Sequence, residues 1–406
     1  MEQAIRIWWK AQLARRPWWM NLLFFFCLYM AVVHIPLELL FTPVARDEEV
    51  WLGIVFRGAA AKLLTIPHWI VYVLGAYGFW RMRPWMWPWA AVYAAQVALA
   101  MLVWGLVHLD GFTGVLLALV SPLPFLGLAG ALFLERDRFE RDKTPALAEQ
   151  YGSWAVVTGA SAGIGAEFAR ALARHGVSVV LAARRGDRLA ALAHELEEAH
   201  GVKTRVVPVD LARESGADEL AAAVADLDVG ILVNNAGYGY AGRFDRQETD
   251  RLRAMVQLNC VAPVVLTSRL IGGMRMRGRG AVVVVGSIAG RQPLPLHGVY
   301  GATKAFDLQF GEALWAEMQG TGIDVVVLEP GATATEFQEV AGEIAHHGEP
   351  AMDVVRTALE ALGRQPSVIS GWGNYVSGNL ARFFPRSVMA LAAGSVVARW
   401  TPADRR

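Results

Sequence analysis

With 406 residues the chain is long enough for two or three domains, and 54% hydrophobic residues with a mean hydropathy of +0.33 is more apolar than a globular protein requires, so part of it is expected in a membrane. A formal net charge of +1 excludes a strongly basic nucleic-acid binder and offers nothing to a strongly acidic partner. The two cysteines, Cys27 and Cys260, lie in unrelated contexts, which excludes a disulfide framework or thiolate cluster and fits a reducing compartment for the catalytic part.

The excess apolar content is concentrated in residues 1–134. Four uncharged stretches, 17–37, 63–80, 85–107 and 111–134, approach or exceed the roughly 18–20 residues of a spanning helix. The first is too long for a secretory signal and three more follow, so it reads as a retained anchor. Arg6, Lys10, Arg15 and Arg16 precede the first span, Arg81 and Arg83 separate the second and third, and Arg136, Arg138, Arg141 and Lys143 follow the fourth. By the positive-inside rule both ends of this bundle, and the domain after it, are expected in the cytoplasm. Trp8, Trp9, Trp18, Trp19, Trp80, Trp85, Trp87 and Trp89 fall near the water boundaries, as an aromatic belt would. His34, Glu38, His68 and His108 lie within or at the ends of spans. They read either as a haem or metal site between helices or, more plainly, as a hydrogen-bonding set with His108 at the interface.

A charged connector, 135–152, leads into alternating short strands and amphipathic helices. The strand 154–158 runs into a turn holding Gly159, Ser161, Gly163, Ile164 and Gly165, then a helix through His175. Glycines at such a turn let backbone approach a pyrophosphate, and the helix start supplies N–H groups. The next strand, 177–182, ends at Ala183, followed by Arg184 and Arg185, with no acid before Asp187. Arginine at this strand end suits a 2′-phosphate, whereas a carboxylate suits a free ribose hydroxyl, so NADP is favoured over NAD. A third strand ends at Asp210 and Leu211, suited to an adenine edge, and a fourth, 230–233, runs into Asn234, Asn235, Ala236 and Gly237. A helix over 255–270 carries Asn259. The β-branched run 282–285 reads as a strand covered on both faces and delivers Ser287 to its carboxyl end. A helix beginning at Tyr300 puts Lys304 on the same face. A tyrosine with a pKa of about 10 exchanges protons poorly at neutral pH, and a neighbouring ammonium is expected to bring it into range while Ser287 holds the substrate oxygen.

From about residue 154 to 337 the chain resembles the short-chain dehydrogenase/reductase family. The resemblance rests on TGASAGIG at 158–165, NNAG at 234–237, Asn259, Ser287, the Tyr300-x-x-x-Lys304 pair and PGATAT at 330–335, six elements in the family's order and spacing. It implies a catalytic tetrad of Asn259, Ser287, Tyr300 and Lys304, with Asn259 holding a water through its helix backbone. It implies NADP(H) held by Thr158, Gly159, Ser161, Gly163, Ile164, Gly165, Arg184, Arg185, Asp210, Leu211, Asn235, Ala236, Gly237, Tyr300, Lys304, Pro330, Gly331, Thr333 and Thr335, the last at the nicotinamide carboxamide. Gly286, where the family often has a second serine, and Ala162, where some NADP-using members are basic, depart from the pattern. Family members often pair through the helices carrying Asn259 and Tyr300, so a homodimer is admitted.

The expected fold is therefore α/β, a doubly wound Rossmann sheet of seven parallel strands, preceded by an all-α bundle of four transmembrane helices. The expected divisions are 1–134 for the bundle, 135–152 for the connector, 153–350 for the reductase domain and 351–406 for a carboxyl extension. That extension carries a helix over 352–362 and resembles, more loosely, the branch of 3-ketoacyl-CoA reductases and hydroxysteroid dehydrogenases. Its apolar run 387–397 is too short to span; flanked by Arg382, Arg386 and Arg399, it either lies on a membrane surface or docks on the domain. The expected activity is NADPH-dependent reduction of a carbonyl, or the reverse oxidation, on an apolar lipid-like substrate such as a 3-oxoacyl chain. Position suggests Tyr238, Tyr240, His297 and Phe337 as substrate-facing, with 337–349 as a lid. A different class, a membrane transporter or electron carrier with an NADPH-sensing reductase-like domain, is disfavoured by the intact tetrad.

Overall fold

The computed structural model describes residues 9, 13, 16–46, 48–51, 54–82, 85–136 and 147–406. The chain divides into two compact units, one of residues 5–144 and the other essentially 145–406.

Four long helices build the first unit: α1 (Trp18–Phe41), α2 (Ala59–Arg81), α3 (Met86–His108) and α4 (Gly111–Leu134), each long and apolar enough to cross a membrane. A five-residue π turn, Met30–His34, interrupts α1, and α4 breaks at Ser121 where Pro122 cannot continue the ladder. Their outward faces expose Leu22, Leu63, Val92 and Leu119, side chains that water would reject and lipid tails accept. Small residues bring the helices together: a Cβ placed on Gly105 would lie 2.7 Å from that of Ala118. Arg16 donates to the carbonyls of Phe79 and Trp80 at 2.7 and 3.1 Å, closing the end of α2. A short antiparallel hairpin, β1 (Glu48–Trp51) with β2 (Ile54–Arg57), joins α1 to α2. Of the basic residues that set the expected orientation, Arg6, Lys10, Arg15, Arg83, Arg138, Arg141 and Lys143 lie outside the described residues, as does Trp8 of the expected belt.

The second unit opens with α5 (Leu147–Tyr151) and alternates β3 (Trp154–Thr158), α6 (Gly163–Arg174), β4 (Ser178–Ala183), α7 (Gly186–His200), β5 (Thr204–Pro208), α8 (Gly216–Ala223) and β6 (Val229–Asn234). It continues through α9 (Thr249–Arg277), β7 (Gly280–Val285), α10 (Gly298–Glu317), β8 (Ile323–Glu329), α11 (Phe337–Ala341), α12 (Ala351–Ala361), β9 (Ser367–Ile369), α13 (Trp372–Leu380) and α14 (Arg386–Trp400). All seven strands, β3 to β9, run parallel in the order β5-β4-β3-β6-β7-β8-β9, the doubly wound sheet expected. One face is packed by Phe168, Leu172, Leu189 and Leu196 of α6 and α7, the other by Leu220, Leu266, Met274 and Leu308 of α8, α9 and α10. Strands β6 and β7 are wholly buried, which is why their sequences are apolar up to Asn234 at the exit of β6. The second strand starts one residue later than its apolar run because the Val177 N–H is still bonded to the Leu172 carbonyl of the preceding turn. Helix α9 also passes a length-and-composition test for a span, yet it is a layer of this unit, packed on the sheet through Leu266 and Met274.

The strand order reverses between β3 and β6, and the carboxyl ends on either side form a crevice. A buried ion pair fixes its far side. Arg291, in the turn after Ser287, donates to both carboxylate oxygens of Glu329 at 2.6 and 2.5 Å, with Glu329 fully buried at the end of β8. Arg291→Met strands that carboxylate without a counter-charge, and the expected cost is about 3–5 kcal/mol, read as a lower melting temperature of the detergent-solubilised protein. Adding Glu329→Leu should restore most of the loss. A wild-type melt for Arg291→Met would show that the clamp carries no stability.

Candidate active site

The carboxyl ends of six strands, β3 to β8, converge with the start of α6 on a cavity of about 790 Å³. Its cofactor-side wall is the β3–α6 turn. Gly159 and Gly163 hold φ of +67° and +55°, conformations that side-chain-bearing residues rarely adopt. A Cβ on Gly165 would collide with the Gly159 carbonyl oxygen, and one on Gly163 would lie 2.9 Å from Thr335. Helix α6 begins there with no side-chain cap, leaving its first N–H groups open.

The remaining wall is built as the crevice implies. Ser161, Ile164, Arg184, Arg185, Asp210, Leu211, Asn235, Ala236, Gly237, Pro330, Gly331, Thr333 and Thr335 all line the cavity. A glycine cradle too tight for a Cβ, an open helix start and a continuous cavity from Arg185 to Tyr300 fit a dinucleotide. Thr158 does not line it. Its hydroxyl donates to the Val233 carbonyl and accepts from the Asn235 and Ala236 N–H groups, so it pins β3 to the exit of β6 and supports the cradle from behind.

At the strand end after Ala183, Arg185 holds Ser161 Oγ at 3.0 Å and pairs with Glu336 at 2.7 Å, while Arg188 takes the other Glu336 oxygen at 2.5 Å. The sequence reading foresaw Arg185 but neither Arg188 nor Glu336. The only signal was that Glu336 directly follows Thr335.

At the other end Tyr300 and Lys304 lie one turn apart on α10, both buried. Lys304 Nζ donates to the Val285 carbonyl at 2.7 Å and to Asp307 Oδ2 at 2.9 Å. Ser287 Oγ accepts from the Ala289 N–H at 3.1 Å and reaches the Pro330 carbonyl at 3.3 Å. Asn259 sits in a π turn of α9, Gln257–Val261, fully buried. Its amide donates to the Tyr238 carbonyl and to Thr303 Oγ1 and accepts from the Tyr238 N–H, tying α9 to α10 and to the loop after β6. Against the expected downward pull of Lys304, Tyr300 titrates above its ordinary value. Burial pushes it up and wins over the lowering by Lys304 and by the Ser287 hydroxyl, with Glu343 and Asp307 adding to the rise.

Of the substrate-facing candidates, Tyr238, His297 and Phe337 line the cavity. Phe337 leans on Tyr300 with ring centroids 5.3 Å apart, and His297 meets it edge-on at 5.9 Å. Tyr240 does not reach the cavity: its ring lies under the Arg251 guanidinium at 4.1 Å. His297 Nε2 is 3.1 Å from Glu343 on the segment 337–349, whose two ends are pinned together where the Ala334 N–H donates to the Glu349 carbonyl and the Glu349 N–H to the Ala332 carbonyl. Helix α14 walls the outer part with Met389, Ala393, Val396, Val397 and Trp400, so the apolar run 387–397 docks on the domain. His346 stacks on Trp400 at 4.4 Å, joining the segment to α14.

The histidines of the first unit each have a local partner: His34 faces Glu38 at 3.8 Å, His68 faces Glu49 at 3.1 Å and His108 reaches the Trp104 carbonyl at 3.0 Å. Among the described residues no three His, Cys, Asp or Glu side chains are grouped to hold a metal ion.

Residues 153–344 match the family model described as short chain dehydrogenase. The chain is 35% identical over 245 residues to the very-long-chain 3-oxoacyl-CoA reductase of Aspergillus fumigatus, covering 59% of this chain and 71% of that protein. A solved 7beta-hydroxysteroid dehydrogenase is similar with a TM-score of 0.58 at 30% identity, covering 61% of this chain and 99% of that one. A solved dehydrogenase from Sphingobium yanoikuyae in complex with NADPH is similar with a TM-score of 0.52 at 31% identity, covering 57% and 93%.

Gly165→Ala tests the cradle. The added methyl has no room, and the dissociation constant for NADPH, read by fluorescence titration, is expected to rise about tenfold or more with the far-ultraviolet dichroism unchanged. Unaltered affinity would mean that the turn does not seat the pyrophosphate.

Proposed function

This chain belongs to the short-chain dehydrogenase/reductase family, and from that premise we propose that it is an NADPH-dependent reductase of a carbonyl on a lipid-like substrate, of which a long 3-oxoacyl thioester is the leading candidate. The observation that carries this is a single cavity with a cradle for a dinucleotide at one end and the buried Tyr300, beside Phe337, at the other. The similarity to 3-oxoacyl-CoA reductases supports the substrate class.

When bound, the nicotinamide supplies the hydride. Thr333, Thr335 and the Asn235–Gly237 turn would hold it, and Arg184 and Arg185 would receive the 2′-phosphate. Ser287 turns its hydroxyl toward the substrate oxygen, Tyr300 gives that oxygen its proton, and Lys304 stabilises the phenolate left behind. Asn259 keeps the Tyr238 backbone and Thr303 in register with that transfer. Phe337 and the segment to Glu349 exclude water above Tyr300.

Tyr300→Phe should lower turnover of a long-chain 3-oxoacyl-CoA by more than about a hundredfold while NADPH binding is kept, since the ring still packs and only the transferable proton is lost. Turnover within about tenfold of wild type would overturn the assignment.

Cofactor choice has its own test. Ala183→Asp with Arg184→Ala offers the ribose 2′-hydroxyl an acceptor and repels a phosphate, and the ratio of kcat/KM for NADPH over NADH should fall by about one to two decades. An unchanged ratio would assign the phosphate to Arg185 and Arg188 instead.

The reductase unit and both ends of the bundle are read as cytoplasmic, supported by Arg16 and Arg81 lying at one end of α1 and α2. The outer face of α13 and α14, with Trp372, Phe383 and Leu391 exposed beside Arg382 and Arg386, suits contact with an anionic lipid surface near the cavity mouth. Val256, Val261 and Phe306, exposed on α9 and α10, suit a second copy of the chain.

A further inference from the structure

Asp307 is a feature that the reduction so far described does not use. It follows Lys304 by three residues on α10, so the two share a face, and it is 1% exposed. One carboxylate oxygen accepts from Lys304 Nζ at 2.9 Å, and the other, Oδ1, has no hydrogen-bond partner among the described residues. Burying a carboxylate with one lone oxygen is costly, and an apolar side chain of similar size would fill the place at less cost. Its charge faces the one group on which Tyr300 depends.

We propose that Asp307 is a positioning residue for the proton transfer: its carboxylate offsets part of the Lys304 charge, so that Tyr300 keeps its proton through neutral pH and serves as the acid of carbonyl reduction. The proposal rests on the reading of Tyr300 as proton donor. The groups bearing on this pair come from three elements. On α10 they are Tyr300 and Lys304, with His297 just before it; α9 contributes the Cys260 thiol, and the segment after α11 contributes Glu343. β7 presents only the Val285 carbonyl. Burial presses the Lys304 ammonium down, but Asp307 and the Tyr300 oxygen lift it above its ordinary value, so it stays charged beside the phenol. Asp307 in turn pushes Tyr300 up, in the same direction as burial.

The sign follows. Without the carboxylate nothing offsets the ammonium, which the Tyr300 oxygen then upholds against burial; as long as it keeps its charge, the phenolate forms more readily. Reduction needs the protonated phenol, so kcat/KM falls as pH rises through the Tyr300 pKa. In Asp307→Asn that fall should come about one pH unit lower than in wild type, and Asp307→Glu should bring it back.

Ultraviolet difference titration of phenolate in the cofactor-free protein, each variant read against its own Tyr300→Phe counterpart, should give the same downward shift. This second reading needs no substrate, so a wrong substrate assignment leaves it intact, whereas its failure strikes Asp307 alone. A limb that moves to higher pH would make Asp307 merely the counter-ion that keeps Lys304 charged. A limb that stays in place while stability changes would make it a packing residue. Either result overturns the proposal.

Discussion

The Lys304 ammonium is almost wholly removed from water, and a charge so placed must be held by groups that the fold supplies. Strand β7 offers it the Val285 carbonyl, α10 offers it Asp307 and Tyr300, and neither element alone would suffice. That requirement fixes the register of α10 against the end of β7, and with it the height of Tyr300 above the sheet. Ser287 then needs no separate positioning, because it leaves the same strand two residues after Val285. Asn259 secures the third side, joining α9 to α10 through Thr303 and to the β6 loop through Tyr238.

The two ends of the cavity are linked by one stretch of chain, the segment after Pro330. Thr333 and Thr335 line the cofactor side, Glu336 answers Arg185 and Arg188, and Phe337 and Glu343 lie against Tyr300 and His297. The buried Arg291–Glu329 pair anchors the root of this segment, and Trp400 of α14 meets its far end at His346. The Glu336 carboxylate, held between Arg185 and Arg188, takes the donors that an anionic 2′-phosphate would demand there, so it both places these arginines and occupies them.

The sheet, the glycine turn and the closeness of Tyr300 to Lys304 were legible because each is a local pattern: β-branched runs for buried strands, glycines where a Cβ has no room, a four-residue spacing for two side chains on one helix face. What escaped was set by distance along the chain. Arg185 meets Glu336 from 151 positions away, and His297 meets Glu343 only after the segment folds back. Thr158 was read as a cofactor ligand because it opens the glycine motif, but its hydroxyl is used up by three backbone groups. Tyr238 and Tyr240 both lie against Arg251, and only Tyr238 also lines the cavity. Charge balance at Tyr300 was also beyond the sequence, since the weight of burial against the Lys304 field depends on how deeply both are covered. Asp307 was visible as an acid in the Tyr300 helix, but only packing reveals that it is buried against Lys304.

The first unit is a bundle whose three histidines each have a partner close by, which suits an anchor better than a conduit. A chain that carries both its own apolar helices and an apolar cavity is suited to substrates that seldom leave a membrane. The most direct measurement uses detergent-solubilised full-length protein, a long-chain 3-oxoacyl-CoA and NADPH deuterated at the transferable position of the nicotinamide, with product read by mass spectrometry. Deuterium on the hydroxyl-bearing carbon of a 3-hydroxyacyl product is expected. NADPH binding with no labelled hydroxyacyl product would contradict carbonyl reduction of this substrate class in this cavity.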